Sequence, residues 1–136
     1  MAVAALVTNL VLWVVIPGAI SSLIARTVPG LPLDSLGFVF SFGALITGLH
    51  VLGALMDGTA LSVPFVAGGH IATAVYLWTA LEGGVLSFVA GGSAITLGFE
   101  PLLFLMILPL LFSAVRVPVV FLLDSSEAGL PERDIP

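Results

Sequence analysis

Three ionisable side chains, His50, His70 and Arg116, fall within long stretches that are otherwise free of charge. If those stretches lie in a bilayer, each is a candidate site residue, because a charge at the bilayer centre costs about 2.5–3.5 kcal/mol on insertion scales. A neutral imidazole can pass a proton, bind a metal, or ligate haem axially. Gly68 and Gly69 immediately precede His70 and leave room beside it for a planar macrocycle. No cofactor is demanded by this pattern; haem b, or a bound quinone, is what it permits. A metal centre is not expected, since two His without an intramembrane carboxylate do not fill a coordination shell. The plain alternative is that each His is neutral and hydrogen-bonded to a backbone carbonyl or a hydroxyl. Arg116 lies ~10 Å inside the end of its apolar stretch, from where it can snorkel to the headgroups, contact an anion, or form a structural ion pair with Glu82.

The solvent of these side chains follows from composition. Of 136 residues, 60% are hydrophobic and 8% charged, against about 45–50% and about 25% in a soluble domain. Three cationic side chains, all Arg, and eight carboxylates cannot clothe a water-soluble globule. The chain therefore reads as an all-α polytopic integral membrane protein, with the lipid bilayer as its first partner. It has no Cys, which excludes disulfides, thiolate metal sites and cysteine nucleophiles. A net charge of −5 without a basic run argues against nucleic acid. Arg in place of every Lys, with an acidic tail, suggests a prokaryotic source.

Charged residues and turn signals divide the chain into spans of about 20 residues, the length that crosses about 30 Å of hydrocarbon. Five are expected, at residues 2–25, 36–56, 59–81, 85–99 and 101–123, followed by an acidic polar tail at 124–136. Pro17-Gly18 should bend the first span, Asp34 and Ser35 can cap the second, and Asp57-Gly58 is a tight turn. The fourth stretch, at 15 residues, reaches only ~22 Å; a Gly-rich re-entrant segment is the alternative there. Five crossings put Arg26 and the Arg116/Arg133 end on one side. The positive-inside rule then favours a plasma-membrane protein with its N-terminus outside and its C-terminus in the cytoplasm. Tyr76 and Trp78 are placed to form an interfacial aromatic belt, whereas Trp13 is too central and should pack against a partner.

Small residues should hold such a bundle together, because lipid supplies no hydrophobic drive between helices. Gly43, Thr47, His50 and Ala54 fall on one narrow helical face, which turns His50 toward protein. Ala44 and Gly48 form a small-xxx-small pair beside it. The pentapeptide Phe-Val-Ala-Gly-Gly occurs twice, ending at Gly68-Gly69 and at Gly91-Gly92. It suggests two helices crossing at their glycines, or two interrupted helices lining a midplane site.

No catalytic constellation is visible: there is no Ser/His/acid set, no HExxH and no phosphate loop. The leading expectation is a non-enzymatic membrane protein acting through helix packing, as a homo-oligomer or as a subunit of a larger membrane complex. The first alternative is a small transporter or channel with a polar path near His50, His70, the Gly pairs and Arg116. The second is a haem- or quinone-binding membrane anchor.

Overall fold

A computed structural model of the chain describes residues 2–27 and 36–128. The connection holding Asp34 and Ser35, and the tail from residue 129, lie outside the described residues. The chain is mostly helical. α1 (Ala2–Leu10) runs through a π-helical turn (Val11–Val15) into α2 (Ile16–Thr27), and α3 (Leu36–Leu55), α4 (Ser62–Ala80) and α5 (Glu100–Ala128) follow. Among the described residues, four helices are long and apolar enough to cross a membrane: Val3–Ile24, Gly37–Leu55, Ser62–Ala80 and Glu100–Ser126. Helices suit this solvent because they satisfy every internal backbone polar group within one segment.

The expected fifth helix at 85–99 gives way to a β-hairpin, so the number of spanning helices among the described residues is the four of the alternative reading. A 3-10 turn (Glu82–Gly84) leads into β1 (Val85–Ala90), which pairs antiparallel with β2 (Ser93–Gly98). The physical reason lies in the Gly pair at its centre. Two consecutive glycines weaken a helix by about 1 kcal/mol each relative to Ala, but they are suited to a two-residue hairpin turn with positive φ at both positions. Gly91 and Gly92 take φ of 59° and 81°. Val85, Val89, Ile95 and Thr96 add strand preference through their β-branched side chains.

Replacing a helix with a hairpin reverses α5. Trp13 and Val14 approach Gly43 while Gly18 approaches Phe40, so the first helix runs antiparallel to α3. α3 and α4 reverse through a short turn, and α4 and α5 reverse through the hairpin. Ala2 and Ala128 thus share one end of the bundle, correcting the expectation of chain ends on opposite sides. α5 also runs on through 124–128, which the sequence reading assigned to the tail.

Backbone approach at glycine joins the helices. A Cβ built on Gly43 would overlap Trp13 O and lie 2.7 Å from Val14 Cγ2. Pro17 has no N–H for the carbonyl of Trp13, four residues earlier, and the ladder here shifts register: Ile16 N–H donates to Val11 O. The expected bend at Pro17 is thus expressed as a π turn just before it. A Cβ on Gly53 would lie 2.5 Å from Val66 Cγ2, which brings α3 against α4. Ala74, Leu103 and Ile107 form the buried contact between α4 and α5, with Leu77, Leu81, Phe99 and Leu110 around it. Most large apolar side chains, such as Leu105, Phe112 and Leu122, point outward, as lipid requires.

Tyr76 is not a belt residue. It is 5% exposed and stacks on Phe38 at 5.8 Å, with Phe42 at 6.1 Å and Trp13 edge-on at 6.2 Å. Trp13 therefore finds its packing partner within the chain. Trp78 is exposed at the hairpin end and packs on Phe104 at 5.7 Å.

Gly43→Ala should lower the unfolding midpoint in detergent by the equivalent of about 1–3 kcal/mol, the usual cost of overpacking. Gly48→Ala, where nothing lies within 4 Å of the new methyl, should be neutral or stabilising by up to about 1 kcal/mol. Equal midpoints for the two variants would contradict this account of the α1–α3 contact.

Candidate functional site

The turn between α3 and α4 sets the site. Gly58 takes φ of 80°, its N–H donates to Asp57 Oδ1 at 3.1 Å, and Thr59 N–H donates to Met56 O at 3.0 Å. This tight reversal puts His50, ~8 Å from the end of α3, beside His70, ~12 Å into α4. The two imidazoles meet edge to face, with ring centroids 5.5 Å apart and planes at 89°.

His50 is oriented by its own helix. Its Nδ1 lies 2.9 Å from Ile46 O, and because a carbonyl only accepts, Nδ1 carries the proton. A neutral ring then keeps its lone pair on Nε2. The ring rests on Gly69, where a Cβ would stand 2.6 Å from His50 Cε1 and 2.8 Å from Nδ1. The space over Gly69 is thus occupied by the His50 ring. Among the described residues no group of three or more metal-ligating side chains occurs.

Polar groups continue along the same faces. Thr73, three residues after His70, is buried and donates from Oγ1 to Gly69 O at 2.8 Å. Thr47, three residues before His50, is 5% exposed and its Oγ1 has no hydrogen-bond partner. An unpartnered buried hydroxyl normally costs about 1–3 kcal/mol, and this one lies one turn from His50.

Between the α3–α4 turn, α4 and α5 lies an open groove of about 680 Å³. Asp57, Thr59 and Ser62 line it from the turn, Ser113, Arg116 and Asp124 line it from α5, and His70 lies at its inner part. A cation is thus set among two carboxylates and several hydroxyls at one end of the bundle. Arg116 belongs to this groove and not to Glu82. Glu82 lies at the other end of α4, where Gly84 packs on Glu100, and Arg116 is sixteen residues further along α5, ~24 Å away. The expected Glu82–Arg116 pair is corrected by the reversed direction of α5.

Of the candidates read from sequence, the fold brings together His50, His70 and Gly69, with Arg116 across the groove from His70. A Cβ at Gly68 would make only ordinary contact with Leu49. Gly91 and Gly92 form the hairpin tip, far from the histidines. The sequence reading missed the α5 wall of the groove. A signal for it exists: Ser113, Arg116, Val120 and Asp124 recur at helical spacing and form one stripe. No family model, no curated protein and no solved structure matches this chain.

Gly69→Ala should push the His50 ring off its seat and cost about 1–3 kcal/mol of stability in detergent. Adding His50→Ala should restore part of that loss, giving a coupling energy of at least about 0.5 kcal/mol in a double-mutant cycle. Strict additivity would show that the ring is not held there.

Proposed function

We propose that the protein is a small membrane transporter or channel whose polar path enters through the groove and continues along His70 and His50. The observation that carries this reading is the groove itself, which reaches His70 while His70 is in ring contact with His50. Asp57 and Asp124 hold the mouth hydrated, and Arg116 and Ser113 line the way inward. The Nδ1–H of His50 is committed to Ile46 O, so Nε2 is the nitrogen open to exchange. Thr47 Oγ1 offers the next polar group along α3. Farther on, Ile46 and the aromatic set around Tyr76 fill the interior. The groove is therefore a vestibule open at one end, and complete passage needs a rearrangement or a proton transfer. The plasma membrane is the compartment that this reading takes for the protein.

In proteoliposomes the purified protein should support proton or small-solute flux, measured with an internal pH dye and with tracers. His70→Ala should lower that flux by about 10²-fold, the low end for losing a positioned proton-transfer group. Flux unaltered in this variant would remove His70 from the path.

A second reading, assembly as a homo-oligomer or as a subunit of a larger membrane complex, is favoured by one observation. The other tight glycine contacts of α3 are used within the chain, whereas Ala44 and Gly48 are exposed and nothing lies within 4 Å of a Cβ at Gly48. A small-xxx-small pair facing lipid is suited to another helix. Gly48→Leu should then shift the mass of the detergent-solubilised particle toward the monomer by light scattering. A wild-type particle that is already monomeric and recovers no partner would dispose of this reading.

A further inference from the structure

The hairpin β1–β2 plays no part in the proposed path, yet its two faces differ in character. Cross-strand partners share a face, so Leu86/Leu97, Phe88/Ile95 and, next to the turn, Ala90/Ser93 stand on one side, and Ser87/Thr96, Val85/Gly98 and Val89/Ala94 on the other. The first side carries four large apolar side chains, of which Ile95 and Leu97 are exposed, Leu97 by 51%; the second carries the smaller Val85, Val89 and Ala94, with Val89 exposed near the tip. On the second side the Ser87 and Thr96 hydroxyls hydrogen-bond each other at 3.2 Å. From Gly83 to Phe99 there is no charged residue.

The level of the hairpin root is fixed by its neighbours. Phe99 N–H donates to Gly84 O at 2.7 Å, so the ladder closes directly at the ends of α4 and α5. Glu82 and Glu100 flank it, and Trp78 is 45% exposed with its ring over Gly83. Carboxylates at helix ends beside an outward-facing Trp mark the boundary between hydrocarbon and headgroups. Each strand of six residues is ~20 Å long. Standing upright, the hairpin would hold its apolar face in water. Sinking into hydrocarbon is excluded, because a two-stranded sheet carries two rows of unpaired backbone groups. Lying along the interface meets both constraints.

We infer that the hairpin is an interfacial anchor, with the Leu86/Phe88/Ile95/Leu97 face resting on the acyl boundary of the bilayer and the Ser87/Thr96 face turned to water. The ligand is the lipid surface itself, bound through apolar area and without a charge requirement. It fixes the bundle's depth at the end opposite the groove.

The native chain contains no cysteine, so single cysteines report cleanly. Phe88→Cys, Ile95→Cys and Leu97→Cys are compared with Ser87→Cys, Ala94→Cys and Thr96→Cys. Each full-length protein carries an environment-sensitive NBD label and is reconstituted in neutral phosphatidylcholine vesicles. The anchor predicts a period-two pattern. Labels on the first set emit to the blue, are quenched by acyl-chain nitroxides, and are several-fold less accessible to iodide than labels on the second set. Equal iodide access at all six positions would overturn the inference and leave the hairpin standing in water. Protection of the first set that disappears when the protein is diluted in lipid would also overturn it, showing a second copy on that face. Five of the six positions are exposed, so the pattern survives the loss of the half-buried Phe88 variant.

Discussion

Backbone approach at glycine is what the bundle rests on. Between helices in lipid there is no hydrophobic drive, and attraction depends on how closely the surfaces meet. Gly43 lets α3 reach the carbonyl of Trp13, Gly53 lets Val66 of α4 approach α3, and Gly69 accepts the His50 ring. Each removes a methyl where a backbone or a bulky group must come close. The π turn before Pro17 belongs to the same contact, since Trp13, whose carbonyl faces Gly43, sits within the shifted ladder.

The third of these contacts joins architecture to chemistry. Gly69 seats His50, His50 touches His70, and His70 faces a groove that also holds Arg116. A polar chain leading from an open end into the bundle is costly to build in an apolar protein. Its components are also tied to one another: the hydrogen bond to Ile46 O fixes the His50 tautomer, and Thr73 caps the carbonyl of Gly69 itself. The unpartnered hydroxyl of Thr47 is the exception, and it lies along the same line.

The repeated pentapeptide shows how far local sequence reaches. Phe65 to Gly69 is helical and Phe88 to Gly92 is strand and turn, though the five residues are identical. The first copy lies inside a 19-residue helix whose Gly69 is covered by an imidazole. The second is bracketed by Gly83-Gly84 and Gly98, and the Gly91 and Gly92 positions meet nothing within 4 Å. A helix here would have carried the cost of its glycines without a neighbour to reward it. Those flanking glycines were readable in advance, and so was the polar stripe of Ser113, Arg116 and Asp124 on α5.

Composition, span length and the Asp57-Gly58 reversal were enough to indicate a helical membrane protein and to put His50 and His70 on neighbouring helices, because hydropathy and turn chemistry act locally. The direction of α5 was beyond that reach. It depends on whether 14 residues form a helix or a hairpin, and because the same pentapeptide is helical at 65–69, local preference acts there together with what packs against the segment. From that choice follow the surroundings of Arg116, the existence of the groove and the common end shared by Ala2 and Ala128. Each joins residues far apart in the chain, and such contacts exist only once the helices have been set side by side.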